Sequence, residues 1–235
     1  MRNPSTLVVF TDLDGTLLDH DTYRWDAAQP ALDRLAKLDV PVILASSKTA
    51  SEIRAIQDRM GLSGAPAIVE NGAGVIGLGD DEGSETYAGL RAALNRLPKE
   101  LRQPFRGFGD MATETVASLT GLPEADAKRA KNRSYSEPGL WSGDDPTLHR
   151  FKDHLAEHGI TAQRGGRFLT LSFGRTKADA MDQISRSLEA RVTLALGDAP
   201  NDLDMLETAD HGVIIANPHK PALPPLAGDT KGGGH

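Results

Sequence analysis

Apolar residues along this chain gather in short unbroken runs, and the runs stop on polar groups. Residues 7–10, 40–45, 67–70, 192–196 and 212–216 each read as a strand, and their apolar runs as buried ones, because a strand covered on both faces is hydrophobic along its run rather than at alternate positions. Between these runs the period turns helical. Ala28, Leu32, Leu35 and Leu38 predict a helix over 25–38, Ile53, Ile56 and Met60 a second, and the stretch 176–188 a third; Pro200 falls near the start of a fourth that continues through Leu203, Met205 and Leu206. Strand, helix, strand implies right-handed parallel crossovers. The expected fold class is therefore α/β, a Rossmann-like parallel sheet whose strand ends carry the polar residues.

The texture changes at the polar run 79–85, which reads as a surface linker. Beyond it, helices are expected over 87–96, 113–119, 123–131 and 145–158, with candidate strands near 133–140, 160–163 and 167–173. Helices mixed with antiparallel-looking strands predict an inserted α+β module. The expected division is a core of 1–82 and 174–235 with an insert of 83–173, and the Pro-rich tail after Pro218 is expected to be mobile.

Composition narrows the function classes. A chain of 235 residues with 39% hydrophobic and 25% charged residues has no apolar run long enough to span a bilayer. Its first residues lack the apolar core of a signal peptide, so the cytoplasm is the expected location. There is no cysteine, which excludes disulfides, thiolate catalysis and cysteine zinc sites and leaves hard-metal, oxygen-ligand chemistry open. With 26 Lys and Arg against 33 Asp and Glu, the net charge of −7 argues against a nucleic-acid partner.

Chemistry concentrates first at Thr11-Asp12-Leu13-Asp14-Gly15-Thr16. Two carboxylates one residue apart act together only if the chain curls at Leu13, and Asp12, ionised near neutral pH, then offers an oxygen as a Mg2+ ligand or as a nucleophile. A polar turn after a core strand explains the pair equally well. An EF-hand does not, because Leu17 stands where its loop glycine belongs and Tyr23 where its bidentate Glu belongs. Ser46-Ser47-Lys48-Thr49 comes after the second strand, where helix capping is the ordinary role of Ser and Thr. Asn71-Gly72-Ala73-Gly74-Val75-Ile76-Gly77 fits a dinucleotide fingerprint in letters only, since residues 75–81 read as a hairpin strand and not as the helix such a loop must open. A second acidic cluster, Gly197-Asp198-Ala199-Pro200-Asn201-Asp202, ends the strand at 192–196.

Taken in order, Asp12-Leu13-Asp14-Gly15-Thr16, Ser46, Lys177 and the Gly197–Asp202 run resemble the haloacid dehalogenase (HAD) phosphatase superfamily, and the size of the insert resembles its type IIB cap. Within that subgroup the chain is similar to the mannosyl-3-phosphoglycerate phosphatase family, through Ser46–Thr49, Glu70-Asn71-Gly72-Ala73, Gly107-Phe108-Gly109-Asp110-Met111, Leu119–Pro123, Ser136-Glu137-Pro138, Gly165-Gly166-Arg167-Phe168 and Gly197–Asp202. Thr176-Lys177-Ala178 departs from the Asp-Lys-Gly that the subgroup often has, so the turn there is expected to differ.

The resemblance implies that Asp12 attacks phosphorus, that Asp14 serves as general acid and then general base, and that Ser46 and Lys177 contact phosphoryl oxygens. It implies Mg2+ held by Asp12, Asp14 through its backbone carbonyl, and Asp198, with Asn201 and Asp202 orienting the groups around it. Lys48, Asn71 and Gly72 are expected to face the substrate. Arg133 and Arg167 are candidates to fork onto a glycerate carboxylate, and a surface role is the ordinary one for each. The expected partner is a small anionic glycosyl phosphate, with neither nucleic acid nor membrane, and the expected state a monomer or homodimer. Two alternatives stay open: a phosphatase for glucosyl-3-phosphoglycerate or another sugar phosphate, and a non-catalytic protein that binds Mg2+ and phosphate.

Overall fold

A computed structural model describes residues 7–19, 22–79, 84–219 and 221–226. In chain order the elements are β1 (Leu7–Thr11), α1 (Gln29–Lys37), β2 (Val42–Ala45), α2 (Ala50–Met60), β3 (Ala67–Val69), β4 (Gly74–Ile76), α3 (Ser84–Arg96), α4 (Lys99–Arg102), β5 (Phe105–Gly107), α5 (Thr113–Thr120), α6 (Glu124–Lys131), β6 (Ser136–Trp141), α7 (Asp145–Ala156), β7 (Thr161–Gly165), β8 (Phe168–Ser172), α8 (Lys177–Ser187), β9 (Val192–Gly197), α9 (Leu203–Thr208) and β10 (His211–Ile214). They fall into two compact units, one of residues 1–47, 57–79 and 176–235, the other of 48–56 and 80–175.

The first unit is built on a sheet ordered β10-β9-β1-β2-β3-β4, parallel except for β4. Its apolar runs form the strands expected of them, and β1 lies between β2 and β9 with Val8 and Phe10 fully buried. These pack with Ile43, Ile68, Ala195 and the α8 residues Ala180, Met181 and Ile184 into one core. The antiparallel pair β3 and β4 is the hairpin that the glycine pattern after Val69 called for, and no dinucleotide helix opens there.

Two expectations shift. Helix α1 starts at Gln29, not at residue 25, because Pro30 suits only the first turn of a helix, where its missing N–H is not needed. The tail is packed further than its Pro content suggests: Leu223 lies against the core and Leu226 is buried in it. Residues 220 and 227–235 of that tail, like 80–83 of the linker, lie outside the described residues.

The second unit carries an antiparallel sheet ordered β5-β6-β8-β7. Phe105, Phe151, Leu90, Leu94, Leu169 and Leu171 form its main core, and Phe108, Met111, Val116 and Ala127 a smaller one beneath α5 and α6. Strand β5 has only three residues, Phe105, Arg106 and Gly107, too few for their buried-exposed-buried alternation to stand out in the hydrophobic pattern. No helix among the described residues is long and apolar enough to cross a membrane.

Candidate active site

The register of the parallel sheet brings the polar strand ends together. Thr11 lies opposite Leu44 of β2 and opposite Leu196 of β9, so Asp12 is level with Ala45 and Gly197, one residue short of Ser46 and Asp198. Strands about 4.8 Å apart then hold the three ends within reach of one small ligand. After Asp12 the chain curls: Leu17 N–H bonds to the Asp12 carbonyl at 3.3 Å, Leu18 N–H to the Leu13 carbonyl at 2.8 Å, and Leu13 is fully buried. The curl at Leu13 is the one expected of this pair, and the half-buried Asp14 lies near enough for its charge to act on Asp12.

Lys177 enters this cluster from the first turn of α8. Its ammonium donates to Asp12 Oδ1 at 2.7 Å, Asp202 Oδ1 at 2.7 Å and the Ala45 carbonyl at 2.9 Å, which uses all three of its protons. The helix that aims it is capped by Thr176, whose Oγ1 accepts from Asp179 N–H while the Asp179 carboxylate accepts from Thr176 N–H. Thr176 therefore replaces the expected Asp as a helix cap, and the lysine keeps its place.

All four charges are out of water, with 7% of Asp12, 3% of Asp198, 1% of Lys177 and none of Asp202 exposed. Burial pushes the Asp12 carboxyl up to about 6, with Lys177 pulling against it and the Asp202 charge adding to the rise. Burial would also lower Lys177, but the carboxylates of Asp12 and Asp202 outweigh it and hold the ammonium above its ordinary value. Ligand oxygens of Asp12, Asp198 and Asp202 lie within 4.8 Å of one another, and the Lys177 ammonium pairs with the first and the last. A cluster made of oxygen donors only fits a hard dication. Asp202 is already engaged. One of its oxygens takes Lys177 and the other takes the backbone N–H of Asp198 and Ala199 at 3.1 and 3.0 Å, so it shapes the loop and leaves Asp12 and Asp198 as the candidate donors.

A turn at Glu70-Asn71-Gly72 ties these parts together. All three residues have positive φ, 53°, 61° and 92°, a conformation that costs roughly 1–2 kcal/mol for a residue with a side chain. Asn71 N–H bonds to the Ser46 carbonyl at 2.9 Å, and its Oδ1 accepts from Asn201 Nδ2 at 3.1 Å. Gly72 lies so close to α8 that a Cβ there would overlap the Thr176–Lys177 peptide. Asn71 and Gly72, expected at the substrate, thus also brace Ser46, Lys177 and the Asp198 loop. Ser46 is buried at the end of β2, and the role expected of Thr49, helix capping, is seen: it exchanges hydrogen bonds with Glu52 at the start of α2.

Lys48, Arg133 and Arg167 belong to the second unit. Arg133 precedes β6 and donates to Ser136 Oγ at 2.6 Å. Arg167, in the turn before β8, donates to the Leu119 carbonyl and stacks over Phe168. Ser136 pairs with Ser172 and Gly139 with Leu169, so the two arginines lie at opposite ends of the β6–β8 ladder. Starting from those opposite ends, each has an acceptor of its own, Ser136 Oγ for the first and the Leu119 carbonyl for the second. Sequence reasoning also passed over Asn217, which donates to Asp198 Oδ2. The rule that flagged Asp12 and Asp198, a polar residue just past a core strand, would have flagged it after β10.

A family profile for haloacid dehalogenase-like hydrolases matches residues 9–96 and 141–224. Among solved structures, the chain is similar to BT1666 of Bacteroides thetaiotaomicron, a phosphatase of that superfamily, at 19% identity and a TM-score of 0.60 over 89% of this chain and 84% of that one. It is similar to the subclass IIB sugar phosphatase BT4131 at 18% identity and 0.59, covering 86% and 84%, and to protein 0175 of Thermoplasma acidophilum at 17% and 0.57, covering 87% and 86%. At these identities the structural likeness establishes the fold, while the profile match spans most of the sequence. The chain belongs to the haloacid dehalogenase-like hydrolase family.

Proposed function

We propose that this hydrolase is a Mg2+-dependent phosphatase that cleaves mannosyl-3-phosphoglycerate to mannosylglycerate and phosphate through an aspartyl-phosphate on Asp12, acting in the cytoplasm as a monomer or homodimer. The observation that carries the reaction class is the buried cluster in which Lys177 joins Asp12 and Asp202 beside Asp198 at adjacent strand ends. The similarity to BT1666 and BT4131, both phosphatases, agrees with it. The substrate rests on the sequence motifs shared with the mannosyl-3-phosphoglycerate family.

Asp12, with a pKa of about 6, is mostly ionised at pH 7 and attacks phosphorus. The ester P–O bond breaks, and Asp14 gives its proton to the departing alkoxide. Asp14 then takes a proton from water, which attacks the aspartyl-phosphate and releases inorganic phosphate and the Asp12 carboxylate. Like unit charges at 4 Å repel by about 4 kcal/mol at an effective dielectric of 20, so a carboxylate reaches a phosphate dianion only with cationic help. Lys177 supplies one charge, and Ser46 a hydroxyl for a phosphoryl oxygen. Asp12, the Asp14 carbonyl and Asp198 would hold Mg2+, which when bound supplies the remaining positive charge.

A related glycosyl phosphate, glucosyl-3-phosphoglycerate first, is the second reading, since similarity to the sugar phosphatase BT4131 favours neither sugar. Phosphate release from mannosyl- and glucosyl-3-phosphoglycerate, sucrose phosphate and hexose phosphates, each with Mg2+ and with excess chelator, separates them. The expected result is turnover highest on the mannosyl compound, lost in chelator and restored by Mg2+. Turnover in chelator with metal absence verified, or none on any phosphate ester, contradicts the proposal.

A further inference from the structure

Asn217 stands just past β10, outside the motifs that carry the reaction. Its Nδ2 donates to Asp198 Oδ2, and its Oδ1 accepts the backbone N–H of His219 at 2.9 Å. The second bond sets the amide's orientation: with Oδ1 turned toward the main chain, the NH2 group faces the carboxylate. On the other side stands Gly15, with φ +92°. A Cβ there would lie 2.6 Å from Asp198 Oδ2 and overlap Asn217 Nδ2, so the hydrogen bond runs through space that a side chain at position 15 would fill.

We propose that Asn217 is a positioning residue for the divalent cation, and that it sets the affinity of the Asp12–Asp198 site for Mg2+. A carboxylate turns easily about its last single bond, and a cation that wants octahedral geometry at short distances tolerates little misalignment. With one oxygen committed to Asn217, Asp198 meets the cation through the other, in a fixed direction. The cost of ordering the ligand is then met in the fold, before the ion arrives. The same contact gives Gly15 a reason beyond its own backbone conformation, since any larger residue displaces the amide. The inference rests on the phosphatase reading only in that this reading places a cation on Asp12 and Asp198.

The test is calorimetric titration of MgCl2 into chelator-stripped protein, parent and Asn217→Ala, with the thermal midpoint of each metal-free protein measured alongside. The variant should bind Mg2+ roughly 10- to 100-fold more weakly, the usual range for groups that orient metal ligands. Its metal-free midpoint should stay within about 2 °C of the parent, because a half-buried amide at a chain turn carries little packing. Affinity within about threefold of the parent overturns the role of Asn217 and leaves the phosphatase reading intact. A parent that takes up no Mg2+ removes the cation from both. If the variant folds poorly, NMR on the parent decides: the Asn217 side-chain NH2 signals should move on Mg2+ addition and saturate with the calorimetric Kd, and signals that stay still overturn the proposal.

Discussion

Each unit of this protein gathers a set of charges, buried in the first and half-exposed around the buried Glu137 in the second, and the two sets are arranged differently. In the first, Asp12 and Asp202 share the ammonium of Lys177, and Asp198, with an oxygen within 4.8 Å of theirs, accepts from Asn217. In the second, Glu137 and Asp110 face two guanidiniums, Arg91 and Arg102. Glu137, fully buried, accepts from Tyr87 Oη at 2.5 Å, Arg91 Nη1 at 2.9 Å and Gly109 N–H at 2.8 Å, while Asp110 takes both arginines and the Gly107 N–H. Two negative charges against two positive ones make a closed network, whose product is the fixed shape of the turn at Phe108–Asp110. Three carboxylates drawn within 4.8 Å of one another at the carboxyl edge of a parallel sheet make a place for a hard cation. Pairing of charges is common to both; gathering like charges at a ligand edge is what separates the first cluster from the second.

The largest effects should come from breaking the first cluster where it reacts. Asp12→Asn should lose covalent phosphoenzyme and nearly all turnover. Asp14→Asn should lose general acid and base help, typically about 10²- to 10⁴-fold in kcat, and still form the adduct. A beryllofluoride adduct, located by NMR or crystallography, checks the first assignment: its appearance on a residue other than Asp12 would move the nucleophile.

Lys177→Met tests the pairing itself. Removing this ammonium takes from the buried Asp12 and Asp202 the cation that the described residues give them, and breaking a buried pair in this way costs about 3–5 kcal/mol. Thermal or denaturant unfolding in chelator should show that loss. Saturating Mg2+ should return part of it, since an ion bound at 100 times its Kd stabilises by about 2.7 kcal/mol. Unchanged stability in chelator would mean that Lys177 does not hold these carboxylates together.

The contrast also explains what could be read from residues alone. Core strands announce themselves as apolar runs, and in a parallel sheet the ligand edge is always the carboxyl edge, so Asp12, Ser46 and Asp198 were legible as neighbours before any register was known. Lys177 was legible as part of an ordered set, but not its three acceptors, which depend on how α8 meets β1 and β2. The Asn71–Asn201 and Asn217–Asp198 contacts join loops 130 and 19 residues apart, and no local period encodes them. In the second unit, antiparallel pairing leaves the register open: Arg133 and Arg167 look equivalent in the sequence and are set at opposite ends of a ladder.

Glu137→Gln probes the balanced network from its buried end. Burial pushes the Glu137 carboxyl up, against the hydrogen bonds of Tyr87 and Gly109 and the charge of Arg91, so the ionised group already stands on compensated ground. Gln keeps the shape and presents a donor where Tyr87, Arg91 or Gly109 also donates. A loss of about 1–3 kcal/mol is expected, the penalty for a buried group left without its partner, and Mg2+ should return none of that cost. Recovery by Mg2+ equal to that of Lys177→Met would erase the distinction between the two sets.

Asp110→Asn should have the smallest effect and the most informative pH dependence. Burial works to raise Asp110, but hydrogen bonds from Arg91, Arg102 and the Gly107 N–H prevail and hold it below its ordinary value of 3.8. A carboxylate depressed in the folded state stabilises the protein fully above its unfolded pKa, and that contribution drains away as pH falls through the folded pKa. The gap between parent and Asp110→Asn should therefore be widest near pH 7 and narrow below about pH 4, as the parent carboxylate is itself protonated. Solvent screening of a partly exposed group keeps the gap at pH 7 to about 1 kcal/mol. In a chain of this length that is a midpoint shift of about 2–4 °C. Unfolding curves for both proteins from pH 3 to 8 measure it. A gap that is constant with pH would assign the loss to packing and not to charge, and would leave Glu137 and Arg91 as the whole of the balanced pair.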